Sequence, residues 1–223
     1  MNLEKQITAS ENTQKKSGTK TKKGYRVVKK IFDILVSLIG IIVLFVPLLL
    51  IALIIVIDSQ GASPIYAQER VGKNGKIFKF YKFRSMVPTA DEMLESLLEH
   101  NEMEGPAFKM KNDPRITRVG RFIRKASIDE LPQLLNVLKG DMSLVGPRPP
   151  LVREVEQYNE YQYLRLSVTP GITCFWQIQP KRNSLTFDEW LELDIKYIRE
   201  RSIKTDLLIL IKTIRAVCGM EGV

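Results

Sequence analysis

From Met1 to about Gly24 the chain is almost wholly polar, built of Lys, Thr, Ser, Gln and Asn, and then it turns apolar: "ILVSLIGIIVLFVPLLLIALIIVI", Ile34 to Ile57, holds no charge. The first stretch has too little apolar material to form a core and reads as a disordered tail. The 24 residues of the second would extend about 36 Å as a helix, enough to cover the hydrocarbon core of a bilayer. The segment is too long for a signal peptide and has no small-residue cleavage site. Basic residues ahead of it hold the N-terminus on the cytoplasmic side. Two readings follow. A spanning helix carries everything after Asp58 across the membrane. A re-entrant helix, broken at Pro47 where the ring removes a backbone hydrogen bond, returns the chain to the side it entered from.

Beyond Asp58 the periods shorten. "SPIYAQERVGKNGKIFKFYKFRSM" contains Asn74-Gly75, the pair favoured in a type I′ turn, and predicts a β-hairpin. In its second strand Lys82 and Arg84 share a face about 7 Å apart, spaced to hold two phosphates or to form a charged edge that deters aggregation. "TADEMLESLLEH" opens on Thr89-x-x-Glu92, a capping box, and predicts an amphipathic helix. "LTFDEWLELDIKYIRERS" and "KTDLLILIKTIRAV" also read as helices. The broad Leu/Ile face of the second, with Lys204, Lys212 and Arg215, fits a membrane interface or the protein core equally. The pattern divides the chain into a tail (1–24), a membrane-inserted helix (25–58) and a further domain (59–223).

Charge narrows the functional classes. Residues 1–30 carry nine Lys and Arg against two acids, a net +7 of the whole chain's +9. The basicity therefore belongs to the tail, and nucleic-acid binding by the body has no support. Cys174 and Cys218 have no metal-ligand spacing and build no disulfide framework. The one histidine, His100, sits in an acidic helical stretch, which excludes a zinc site rich in histidine and leaves carboxylates and cations to do any chemistry.

The densest group of such residues is "RKASIDELPQLLNVLKGDMSLVGPRP", from Arg124 to Pro149. Two explanations of Asp129-Glu130 stand level. Ser127-x-x-Glu130 is a capping box, and Pro132 near the first helical turn would alternatively make Asp129 the cap. An ionised Asp is equally a nucleophile towards phosphorus, and adjacent Asp and Glu oxygens are hard ligands suited to Mg²⁺. Arg124 upstream and Arg148 in the proline-fixed segment could hold the remaining phosphate charge. Arg115, Arg118, Arg121 and Arg124 recur every third residue, a spacing that drifts around a helix, so they do not share one face.

These motifs, with "KKIFDI", "KIFKFYKFRSM" and "VTPGIT" in that order, resemble the bacterial sugar transferase family, the small monotopic polyprenyl-phosphate phosphoglycosyl transferases. The resemblance runs from about Val28 to the C-terminus. Where the family often has Thr-Gly-Trp-Ala-Gln and then Gly-Arg-Asn, this chain reads "TCFWQIQPKRN", which retains Arg182 and Asn183 but replaces the glycine.

The resemblance implies a mainly helical α+β fold: a re-entrant membrane helix, a small hairpin, and amphipathic interfacial helices around a compact catalytic domain. It implies an Mg²⁺-dependent transfer of a phosphosugar from a UDP-sugar to polyprenyl phosphate, through a phosphosugar–aspartyl intermediate on Asp129, with release of UMP. Glu130 would position metal and nucleophile. Arg124, Arg148, Lys82, Arg84 and Arg182 would contact phosphate or nucleotide. It places the domain on the cytoplasmic face of the bacterial membrane, with membrane lipids as partners, a homo-oligomer compatible with the sequence, and a role in starting capsule or exopolysaccharide synthesis. The rivals are a membrane-anchored lipid-binding interaction protein and a glycosyltransferase that releases UDP.

Overall fold

The computed structural model describes residues 23–102, 108, 110–180 and 184–219. Most of the tail, and Arg182 with Asn183, lie outside them. The fold is mainly helical with two small sheets, as expected. Its longest element, α1 (Lys23–Asp58), is one 36-residue helix, about 54 Å at the helical rise.

The expected break at Pro47 is not an interruption, because α1 is helical on both sides of it. A proline removes only one intrahelical bond, and neighbouring turns can carry the helix through. Pro47 also faces away from the rest of the protein, so no packed neighbour exploits the lost bond.

The helix lies along the remainder of the chain instead of leaving it. Asp33 and Ser37 are buried, and Gly40, Leu48, Ile51, Ala52 and Ile55 continue the same stripe at helical spacing. At one end Tyr25 and Lys29 bond the Asp206 carboxylate at 2.9 and 3.0 Å, and Asp33 accepts from Ser143 Oγ at 2.7 Å. Midway, Gly40 lets Leu134 approach. At the far end Ile55 packs with Phe83 and Ile123. The opposite face is bare and apolar, with Val27, Ile31, Leu35, Ile39, Ile42, Val46, Leu50, Ile54 and Ile57 all exposed. So large an apolar patch needs lipid, and α1 is long and apolar enough to cross a membrane.

The hairpin forms as the turn residues dictate. β1 (Ile65–Val71) pairs antiparallel with β2 (Ile77–Phe83), and Asn74 (φ 56°) and Gly75 (φ 78°) supply the two left-handed positions of a type I′ turn. The helix expected over "TADEMLESLLEH" shrinks to one turn, α2 (Leu94–Leu97), and Thr89 caps nothing: its hydroxyl lies 3.9 Å from Met93 Sδ. No residue of α2 is buried, and an amphipathic pattern without a partner surface does not hold a long helix.

Next come α3 (Arg118–Lys125), capped by Thr117 Oγ1 accepting from the Gly120 amide at 2.8 Å, and α4 (Gln133–Lys139), ended by Gly140 at φ 81°. β3 (Ser143–Val145) runs parallel to β4 (Gly171–Thr173), with the one-turn α5 (Val152–Val155) between them in sequence. β3 and β4 bring two of the sequence motifs together: the Gly171 amide donates to Pro147 O, and a Cβ on Gly171 would lie 2.0 Å from the Gly146 nitrogen.

Two long helices finish the chain, α6 (Phe187–Glu200) and α7 (Ile203–Cys218). α6 contributes Trp190 to the core and Asp194 to a buried ion pair with Arg165, 2.7 Å apart. The two faces of α7 differ: Ile209 is fully buried, as the core reading expects, whereas Ile203, Leu207, Leu208, Ile211 and Ile214 are exposed.

Candidate active site

Asp129 and Glu130 occupy a 3₁₀ turn, Ile128–Glu130, that leads through Pro132 into α4. Neither capping arrangement read from the sequence is formed. Ser127 takes a left-handed backbone (φ 54°) and makes no capping bond, and the residue at the start of α4 is Pro132, which has no side-chain acceptor. Asp129 is 5% exposed, and its carboxylate meets one partner among the described residues, the Lys82 ammonium at 3.6 Å. A carboxylate held this way, with oxygens spared from capping, is available for chemistry.

The carboxylates open onto a cavity of about 220 Å³ whose wall includes Lys82, Arg124, Ser127, Gln133 and Arg148. Of the arginines on and before α3, Arg118 and Arg121 point to solvent, Arg115 is buried against Asp113 at 2.6 Å, and Arg124 lines the cavity. Lys82 projects from the β2 face that buries Phe78 and Phe80. Burial lowers its ammonium pKa, and the fields of Asp129 and then Glu130 oppose that shift. Arg84, two residues on, does not reach this cavity. It donates to Ser63 O at 2.8 Å, lies over the Tyr66 ring, and lines an adjoining cavity of about 190 Å³ that shares Lys82, Arg124 and Arg148. Arg182 lies outside the described residues.

The sequence reading missed Arg70. It is 4% exposed, lines both cavities, donates to Pro149 O at 3.1 Å and to Gln68 Oε1 at 2.9 Å, and lies over the Phe80 ring. Burial first, and Arg148 second, push its guanidinium pKa down to about 9, still cationic at neutral pH. A signal was present: Arg70 is directly opposite Phe78 across the hairpin, and opposed residues share a face. Trp176 and Trp190 were also unforeseen. They stack with centroids 4.7 Å apart and line the same cavity. Arg70 Nε, Gln133 Nε2 and both indole Nε1 atoms are buried without an acceptor among the described residues. Four donors lacking acceptors around one cavity suit an oxygen-rich ligand.

The residues present also fit a magnesium ion. Asp129 and Glu130 are the adjacent hard donors, and no cluster of three or more potential metal-ligating side chains occurs among the described residues. Mg²⁺ takes one or two protein carboxylates and completes its shell with water and phosphate oxygens, so a pair suffices where a phosphate ligand is bound.

The chain is similar to known proteins along most of its length. Residues 24–220 match the protein family described as "Bacterial sugar transferase". The chain is 50% identical over 196 residues to the "Galactosyl transferase CpsE" of Streptococcus agalactiae, covering 88% of this chain and 43% of that protein. It is 44% identical over 205 residues to the "Undecaprenyl-phosphate galactose phosphotransferase" of Salmonella typhimurium, covering 90% of this chain and 42% of that one. The chain thus spans less than half the length of these curated relatives. It spans 87% of a shorter one, the "Exopolysaccharide production protein ExoY" of Rhizobium meliloti, 41% identical over 198 residues.

Proposed function

The chain belongs to the bacterial sugar transferase family, and from that premise we propose that it transfers a phosphosugar from a UDP-sugar to polyprenyl phosphate at the cytoplasmic face of the membrane. The observation that carries this reading is the buried Asp129 carboxylate, free of any capping bond and surrounded by Lys82, Arg70, Arg124 and Arg148. The names of relatives from Salmonella typhimurium and Aeromonas hydrophila, both undecaprenyl-phosphate sugar phosphotransferases, support it.

In the proposed reaction an Asp129 oxygen attacks the phosphorus that bears the sugar. The bond to the bridging oxygen breaks, UMP leaves with the electron pair, and the phosphosugar is held on Asp129 as an acyl phosphate. An oxygen of polyprenyl phosphate then attacks the same phosphorus, which restores the carboxylate and yields polyprenyl-diphosphate-sugar. The acceptor's second pKa is near 6, so it is largely dianionic at neutral pH and needs little help from a base. Arg70, Arg124 and Arg148 neutralise the diphosphate and hold it in line. Lys82, 3.6 Å from the Asp129 carboxylate, offsets the charge on the attacked phosphoryl oxygens. A magnesium ion held by Asp129 and Glu130 would supply further charge neutralisation at the phosphates.

Mixing the enzyme with UDP-sugar alone should release a burst of UMP equal to the active-site concentration, before any lipid acceptor is added. Rapid-quench nucleotide analysis decides: UDP marks transfer of sugar without phosphate, no nucleotide marks a binding protein, and UMP only after acceptor addition marks direct transfer without the aspartyl intermediate.

The reading also requires both ends of α1 on one side of the membrane. Support comes from the contacts of α1 with the body from Tyr25 to Ile55, since a crossing helix would draw that polar body into the bilayer. Ser10→Cys and Ser63→Cys, made singly in a background lacking Cys174 and Cys218, should both resist a membrane-impermeant thiol reagent in intact cells. Labelling of Ser63→Cys alone means that the helix spans.

A further inference from the structure

A second large cavity lies away from the carboxylates, and its chemistry is different. It encloses about 480 Å³ between the N-terminal end of α1, the C-terminal end of α4 and the residues just before α7. It shares no wall residue with the cavity at Asp129, so this is not an extension of the active site.

Its walls carry Arg26, Lys29, Lys30, Lys73, Lys139 and Arg201 against one acid, Asp33. Part of that charge is already matched. Lys29 is 3.0 Å from Asp206 and 3.8 Å from Asp33, and Lys139 donates to the Tyr81 hydroxyl at 2.8 Å. Arg26, Lys30 and Lys73 meet no carboxylate within ion-pair distance among the described residues. They come from two separate elements, α1 and the hairpin tip, that the fold brings to one cavity. The wall also holds Ser167, whose buried Oγ has no hydrogen-bond partner among the described residues. Converging cations with a spare hydroxyl between them suit an oxyanion.

Position selects the kind of anion. Both apolar surfaces begin at this cavity: Val27, Val28 and Ile31 on α1, and Ile203 and Leu207 on α7, are exposed immediately beside Arg26 and Arg201. Tyr25 and Lys29, both bonded to Asp206, tie the starts of the two helices together. Charge at the rim of a lipid-facing surface stands at headgroup depth.

We propose that this cavity binds the phosphate of one anionic phospholipid headgroup per chain. The site is separate from sugar-phosphate transfer and stands whether or not that reading holds. Native mass spectrometry of the detergent-solubilised full chain, titrated with short-chain phosphatidylglycerol, should show one saturable adduct. Lys30→Glu and Lys73→Glu, at exposed positions, should each weaken it about tenfold. Lys196→Glu, exposed on α6 outside the cavity, should leave it unchanged. Lys73→Ala serves where charge reversal alters the circular dichroism spectrum, and should weaken binding less than Lys73→Glu. Equal weakening by Lys196→Glu would reduce the effect to diffuse surface attraction. Equal binding of phosphatidylcholine, or displacement of the lipid by inorganic phosphate at the same concentration, would overturn the lipid assignment.

Discussion

Asp129→Asn should leave a folded, membrane-bound protein that binds UDP-sugar and does not turn it over. An amide is no nucleophile towards phosphorus, so the loss should be several orders of magnitude in kcat. A capping residue would behave differently, since loss of a cap costs about 1 kcal/mol of stability and leaves the chemistry intact. The structure removes the cap as an explanation for any loss seen, because Asp129 makes no capping bond. Stability should change little. The 3.6 Å contact with Lys82 is long, and part of the Lys82 side chain is open to solvent. Glu130→Gln should be badly impaired yet measurable, as a positioning role requires. The two variants, assayed for product lipid and for thermal unfolding, separate the roles. Near-normal turnover by Asp129→Asn would remove it as nucleophile.

Gly120→Ala should have the largest effect on folding. Gly120 lies on α3 where that helix crosses the chain leaving β2, and a Cβ there would sit 1.9 Å from Ser85 O and 2.6 Å from Ser85 C. Backbone cannot swing aside as the end of a lysine can, so α3 and β2 must separate. The Thr117 amide bond to Ser85 O, at 3.1 Å, would go with them. Overpacking of this kind costs about 3 kcal/mol or more, a large share of a domain's stability. The catalytic consequence is as direct: β2 carries Lys82 and α3 leads through Arg124 to Asp129. A variant that still folds should show lower kcat and lower thermal stability together. Full activity and an unchanged melting temperature would refute the close crossing.

The fold was legible where the sequence pattern has a physical monopoly. No other structure suits a 24-residue run without charge, and Asn74-Gly75 favours a I′ turn over its competitors. It was illegible where local signals lacked a partner. Thr89-x-x-Glu92 has the composition of a capped helix, yet only a short α turn and a 3₁₀ turn form, because what decides is the surface it would pack on. Pro47 misled in a related way: a missing hydrogen bond permits a break without compelling one.

In the site, Asp129, Glu130, Lys82, Arg124 and Arg148 line one cavity. Arg84 falls short because β2 ends at Phe83 and the next residue turns towards Ser63. Trp176 and Trp190 meet across fourteen residues of chain through core packing, a contact that no local pattern encodes.

The seating of α1 has a mechanical consequence. Ile55 clusters with Ile123, and Leu48, Ile51 and Ile128 pack against the same cluster; Ile123 and Ile128 are the neighbours of Arg124 and Asp129, while Phe122 on α3 is exposed. The Asp129 carboxylate, the nucleophile of the proposed reaction, therefore rides at a height fixed by the depth at which α1 floats, as a ship's deck stands above its waterline by the draught of the hull. A tethered domain could sample many heights above the lipid. This one is ballasted, and a bilayer that changed the immersion of α1 would raise or lower Asp129 with it.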